Sequence, residues 1–273
     1  MANPNQPDPQ GPSSEHEDPT SKMSFFDHLT ELRRRLIYSL AAVGVGLCFG
    51  LYFSQEVYQF LARPMLKALR EAKMEDKLVY TSPLGPLHLF ITVGLYVGVV
   101  IALPYVLYQV WLFIAPGLYR HERRAVATFI VTSVFLFLAG MAFGYFVMMP
   151  MTLGFLLSVG AGGQFKPMIS MNDYFDMTLV IELGLGLVFQ LPILIFFLSL
   201  FGIVTPKFLW GNFRYAILII SIIAAVVTPT TDALTMTIFM APMILLYLMG
   251  IGVSALVVRR KRRAEAIARA GAP

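Results

Sequence analysis

"SFFDHLTELRRRLIYSLAAVGVGLCFGLYF", residues 24–53, sets an arginine cluster ahead of a long apolar run. At first sight this is the layout of a cleavable leader. A leader, however, has an apolar core of about 7–15 residues and then small residues at a cleavage site. Here the run continues through Leu47, Phe49, Leu51 and Phe53 with no A-x-A-like step. The arginines also lack the x-F-L-K-like continuation of a twin-arginine export signal, since "RRRLIYSL" follows instead. The stretch is therefore expected to be a permanent first membrane span. Asp27, His28 and Glu31 just ahead of the arginines are unexpected in a positively charged leader and ask for another explanation.

The rest of the chain agrees with a membrane setting. Its 273 residues are 57% hydrophobic and only 14% charged, with a mean hydropathy of +0.70, beyond what a soluble domain carries. The formal charge of +5 could suggest nucleic acid. The basic residues sit in short clusters between apolar runs, so the expected partner is an anionic lipid surface and no nucleic acid. The single cysteine, Cys48, lies in the first apolar run, which leaves no disulfide framework and no cysteine-based metal set. Four histidines without an H-x-x-x-H pair give no metal site, and His121 reads as a solvated loop residue. G-x-S-x-G, H-E-x-x-H and paired-Asp signatures are missing from the spans, so an intramembrane protease is excluded and no enzyme or cofactor is expected.

Six apolar runs, near 36–53, 87–113, 125–149, 173–201, 213–228 and 233–258, approach the ~20 helical residues that cross a bilayer core. Backbone groups in lipid must be satisfied within each segment, so the fold class is an all-α polytopic bundle of six transmembrane helices. Residues 1–22, rich in Pro, Ser and acids, read as a disordered tail; 23–258 form one membrane domain; 259–273 are a basic tail, expected to be loosely ordered after Arg263. With both termini on one side, that side holds fifteen Lys and Arg and the other holds six. Five of the six (Arg63, Lys67, Arg70, Lys73 and Lys77) share the loop 54–86 with four acids. Both termini are thus expected to be cytoplasmic.

Local patterns leave alternatives. Phe25, Leu29, Leu32 and Leu36 form one stripe of a helix expected to lie along the membrane surface, with Asp27, Glu31 and Arg34 on another face. Glu31 is explained locally by an i,i+3 or i,i+4 pair with Arg34 or Arg35. "APGLY" (115–119) is a helix-ending turn. Glu182 and Gln190 lie inside the fourth run, eight residues and ~12 Å apart on nearly one face, where polar groups are costly and need a partner or cavity. Glu182 reads either as a carboxyl hydrogen-bonded to a Ser, Thr or Tyr of a neighbouring helix, or as a group for partner docking or proton coupling. The fifth run, at ~24 Å, is shorter than the bilayer core, so the fifth and sixth helices form a short hairpin that either thins the bilayer or snorkels at its ends. Asp232 after "TPTT" fits a cap of the sixth helix, with partner contact as the alternative.

"FFDHLTELRRRL" (25–36), "ARPML" (62–66), "YQVWLFIAPGLYRHERR" (108–124), "GMAFGYFVMMP" (140–150), "LGLVFQLP" (185–192), "GIVTPKFL" (202–209) and "TPTTD" (228–232) occur in the order and spacing of one family. Across residues 23–257 the chain resembles TatC, the multispanning receptor family of the twin-arginine protein translocase. The resemblance implies a bacterial inner-membrane protein that binds the Arg-Arg motif of signal peptides on folded cargo at its cytoplasmic face. It implies assembly with small single-span TatA- and TatB-like proteins, self-association in the receptor complex, and transport driven by the proton-motive force. Glu31 and Glu122 match the family's signal-binding carboxylates, and a carboxylate suits the planar guanidinium fork. Arg33 would orient Glu31 and keep it ionised, with Phe113 and Tyr119 touching ligand. Pro64 falls in a helical periplasmic cap formed by the first loop; shaping that cap and touching the signal are both open. Gln190 matches a position thought to project into a concave pocket facing a partner helix, and Asp232 matches an acidic family position.

Three positions depart from the family pattern. Met236 stands where Gln is common, Leu248 where Glu often follows Tyr, and Thr92 where Lys is usual, which alters the implied docking surface for the small partners. The rival reading is a small-solute secondary transporter, with Pro104, Pro192 and Pro242 marking broken helices about a midplane site. Against it, Glu182 is the one ionisable residue deep in a span and no internal repeat is visible.

Overall fold

The computed structural model describes residues 25–71, 78–80, 82–114, 123–160, 168–228 and 232–270. Among them no strand forms, and one bridge between Val79 and Ser170 is the sole β-type pairing. Five helical stretches, Leu29–Tyr52, Gly85–Phe113, Thr128–Ser158, Met171–Leu200 and Ala233–Arg263, are long and apolar enough to cross a membrane; Phe213–Val227 is apolar but shorter.

Helix α1 (Phe25–Tyr52) is unbroken. This corrects the expectation of a separate surface helix: residues 25–43 contain neither Gly nor Pro, so nothing interrupts the hydrogen-bond ladder between the amphipathic stretch and the span. Helix α2 (Ser54–Glu71) follows, and α3 (Gly85–Ile114) returns to pack along α1. The α1–α3 seam is built on paired glycines. A methyl at Gly50 would lie 2.0 Å from the Gly94 carbonyl oxygen, and one at Gly46 would lie 2.4 Å from that of Gly98. Small residues four apart on both helices let the backbones approach this closely, the usual basis of helix association in lipid.

The α2 helix lies over α3, α5 and α6 and buries Leu61, Ala62, Met65 and Leu69. Pro64 sits inside it. Having no N–H, Pro64 cannot bond the Phe60 carbonyl one turn back. That carbonyl accepts instead from the Tyr145 hydroxyl at 2.8 Å, while the Phe60 and Tyr145 rings stack with centroids 4.5 Å apart. The next carbonyl, Leu61, accepts from the Tyr174 hydroxyl at 2.6 Å. The proline thus opens an acceptor through which the bundle holds its cap.

The third apolar stretch is α4 (Arg123–Phe143), a π turn (Gly144–Met148) and α5 (Met149–Gly160). The fourth is α6 (Met171–Val188) and α7 (Leu191–Leu200), interrupted at Phe189 and Gln190 because Pro192 enters the first turn of α7 without an N–H. Gly202, at φ 76°, ends α7: its N–H bonds Ser199 O at 3.1 Å, and Ile203 N–H bonds Leu198 O at 2.9 Å. Then come α8 (Pro206–Gly211), α9 (Phe213–Val227) and α10 (Ala233–Ala270). At 15 residues α9 spans ~22 Å, as its short run implies. The expected short hairpin and loose tail need correction on the α10 side. That helix has 38 residues and runs past Arg263, since "AEAIARA" consists mostly of strong helix formers.

Two outcomes follow from this packing. Gly50→Val should force the α1–α3 seam apart and cost about 1–3 kcal/mol, seen as a lower thermal midpoint in detergent. Gly44→Val is the control, because an added Cβ there meets nothing within 4 Å. Tyr145→Phe should cost about 1–2 kcal/mol by orphaning the Phe60 carbonyl, and should cost less in a Pro64→Ala background, where the helix supplies its own donor. Unfolding of the four species of that double-mutant cycle measures the coupling.

Candidate functional site

Glu31 lies in the second turn of a long helix and is followed, after Leu32, by three consecutive arginines. Its Oε1 takes the Arg35 Nη2 donor at 2.8 Å, an i,i+4 pair in the favourable order of acid before base. Arg35 Nη1 in turn donates to Gln109 Oε1 at 3.0 Å. Gln109 belongs to α3 and is 4% exposed, so the cluster is anchored on a second helix. The Glu31 and Arg35 side chains keep 15% and 19% accessibility, enough to be reached from outside. Arg33 was expected to orient Glu31. The structure seats Arg35 there and leaves Arg33 exposed, because on a helix only spacings of three and four bring side chains together.

Phe113 is half-buried near the end of α3, one turn beyond Gln109 and therefore on the same face. Glu122 and Tyr119, with Pro116, Gly117, Leu118 and His121, lie outside the described residues.

Gln190, at the break between α6 and α7, donates through Nε2 to the Ser133 carbonyl of α4 at 2.9 Å. The Ser133 hydroxyl accepts from Trp111 Nε1 at 2.8 Å, and the Trp111 ring stacks on Phe197 at 4.3 Å. Trp111, Ser133 and Gln190 therefore tie α3, α4 and α7 together. Gln190 Oε1 is buried and has no hydrogen-bond partner among the described residues.

Glu182 is 3% exposed and directed inside the bundle. Its Oε2 accepts from the Tyr96 hydroxyl of α3, which is the hydrogen-bonded carboxyl anticipated for a neighbouring-helix Tyr. The other oxygen, Oε1, is buried without a partner among the described residues. A Cβ on Gly144 would lie 3.4 Å from Glu182 Cα, so the π turn packs directly against this residue. Asp232 Oδ2 accepts from the Thr235 N–H at 2.7 Å, the side-chain bond of an N-cap of α10. Pro64 acts within α2 as described. Sequence reasoning offered the Glu31–Arg35 pair as the local explanation of Glu31, and the structure holds it; it passed over Gln109, Tyr96, Trp111 and Ser133. The available signal was polar character inside apolar runs, since buried Tyr and Trp need partners for O–H and N–H.

The family profile described as Sec-independent protein translocase protein (TatC) matches residues 27–242. The chain belongs to the TatC family. It is 50% identical over 246 residues to the TatC protein of Koribacter versatilis (strain Ellin345), covering 88% of this chain and 89% of that one. It is 36% identical over 244 residues to the TatC protein of Aquifex aeolicus (strain VF5), covering 89% and 99%. A crystal structure of the twin arginine translocase receptor TatC superposes with a TM-score of 0.76 at 37% identity, covering 85% of this chain and 99% of that chain. As a TatC-family member the chain is a component of a protein translocase, a multi-pass protein of the bacterial inner membrane.

The Tyr96–Glu182 tie makes a prediction in this TatC-family bundle. Tyr96→Phe should destabilise by about 1–3 kcal/mol, because it leaves both carboxyl oxygens of Glu182 unpaired. Adding Glu182→Leu to that variant should recover part of the loss, which thermal unfolding in detergent can read.

Proposed function

We propose that this chain is the core receptor of the translocase, with Glu31 and Glu122 receiving the two arginines of a signal peptide at the cytoplasmic face. The observation that carries the reading is the half-buried Glu31 carboxylate holding a guanidinium at 2.8 Å, so that side chain is already set to grip that group. Phe113 lies on the same α3 face as the anchor Gln109, which suits contact with a ligand along that face; Tyr119, outside the described residues, is assigned ligand contact from the family resemblance. Arg33, exposed on α1, adds to the field around the site rather than orienting Glu31.

In this reading six helices cross the membrane, both termini are cytoplasmic, and α2 is the periplasmic cap shaped by Pro64, as the fifteen-to-six division of Lys and Arg supports. Residues 1–22 and 259–273 flank the single membrane domain as cytoplasmic tails. Gln190 and Asp232 are assigned to the surface that meets the small single-span partners. Glu182 is assigned to holding α3 and α6 together, given its burial. Copies of the chain associate in the receptor complex, lipids surround it, and the proton-motive force drives transport of folded cargo.

The small-solute transporter reading is weaker, because Pro104 and Pro242 lie within continuous helices and, of the three prolines, Pro192 alone stands at a break. The deciding experiment is binding or crosslinking of detergent-solubilised protein to an Arg-Arg signal peptide and to its Lys-Lys counterpart. The Arg-Arg peptide should bind selectively. Glu31→Gln should weaken it roughly 10- to 100-fold, the value of about 1.5–3 kcal/mol for a charge-assisted bond. Equal capture of both peptides would end the receptor reading.

A further inference from the structure

The group seated on Glu31 is itself a guanidinium. Arg35 reaches it at 2.8 Å through Nη2 and is held from the other side by Gln109 at 3.0 Å through Nη1. This differs from a loose surface pair. Both side chains are four-fifths or more covered, and the third partner is a buried glutamine on another helix, 74 residues away. Arg35 Nε is buried with no acceptor among the described residues, so the side chain depends on its two terminal nitrogens.

Resting on the reading that Glu31 receives a signal arginine, we propose that Arg35 is a resident competitor. It occupies Glu31 in the empty receptor and must yield to the ligand's guanidinium. The exchange balances: one Nη–H to Oε bond breaks, an equivalent one forms with the ligand, and the carboxylate stays paired throughout. Gln109 keeps Arg35 by Nη1 while Nη2 is released, which avoids stranding a buried cation. A ligand lysine fares worse in the same exchange. Its ammonium is more strongly hydrated and has no planar fork, so it regains less on displacing Arg35. Releasing Arg35 costs both ligands the same, so the competitor lowers both affinities alike, and discrimination between Arg and Lys comes from how well each cation refills the carboxylate.

The test uses the full chain in detergent, fluorescent Arg-Arg and Lys-Lys signal peptides, and the variants Arg35→Met, Arg35→Lys and Glu31→Gln. Arg35→Met should bind both the Arg-Arg and the Lys-Lys peptide a few-fold tighter, leaving the ratio between them unchanged. Arg35→Lys, a weaker competitor that keeps the charge, should fall between, and it carries the test if the Met variant does not fold. Arg-Arg binding that is weaker or no tighter in the Arg35 variants overturns the proposal and makes Arg35 a positioning residue. The parent reading is separated by Glu31→Gln. If that variant binds like wild type, Glu31 is not the receptor carboxylate and both ideas fall; if it loses binding while the Arg35 variants bind no tighter, only the competitor falls.

Discussion

The close approach of α1 to α3 is the constraint on which the site depends. The first apolar stretch is only 11% buried in the chain, against 44% for the second, so α1 stands at the margin of the bundle and has little else to fix it. What fixes it is the run of glycine contacts at Gly46, Gly50 and Gly98, where the two backbones meet directly, and at Gly94, against which Leu51 packs. The consequence appears a few turns away. Only with the helix axes that near can Arg35, on α1, share a hydrogen bond with buried Gln109 on α3. A seam made of Leu and Val would hold the helices farther apart and leave Glu31 and Arg35 as an ordinary solvent pair, worth a few tenths of a kcal/mol.

A second constraint is polar satisfaction where no water is at hand. Two irregular points of the helices carry side-chain bonds to another element. The carbonyl freed by Pro64 takes the Tyr145 hydroxyl, and the helix break before Pro192 puts Gln190 against the Ser133 carbonyl. Elsewhere Ser199 bonds Ser254 at 2.7 Å, joining α7 to α10. Apolar packing between helices is not favoured over packing against lipid tails, so these few directional bonds set which helices pair and at what height. Glu182 is the costliest member, with one oxygen met by Tyr96 and the other unmet. Its position against the π turn places two irregular features at one level of the bundle.

What the sequence made legible was whatever depends on composition along one segment: the apolar runs, the shortness of α9, and the cap at Asp232 followed three residues later by Thr235; the helical first loop came from the family resemblance. What it hid depends on pairs of segments. Gln190 donates its amide N–H to the Ser133 carbonyl, a partner that no spacing rule could name. Glu182 could be assigned a hydroxyl partner in kind but not as Tyr96, because 86 positions separate them. Other errors were local. The apolar stripe of Phe25 to Leu36 suggested a surface helix, although an unbroken ladder was equally available to those residues, and the end of hydropathy at Arg263 was taken for the end of α10. Hydropathy marks where lipid ends, whereas helix propensity decides where the helix does.

The three arginines after Glu31 show how helix geometry divides like residues into unlike roles. Successive positions on a helix differ by about 100°, so Arg33, Arg34 and Arg35 point in three directions. Arg35 alone is both one turn from Glu31 and turned toward α3, and it is the member that becomes partly buried, while Arg33 and Arg34 stay exposed. A run that composition counts as a single basic cluster is therefore one internal ligand and two surface charges. The same rotation explains why the acid had to stand at residue 31. At residue 30 or 32 it would face Arg34 or Leu36 one turn on, and the carboxylate would lie away from the seam that holds Gln109.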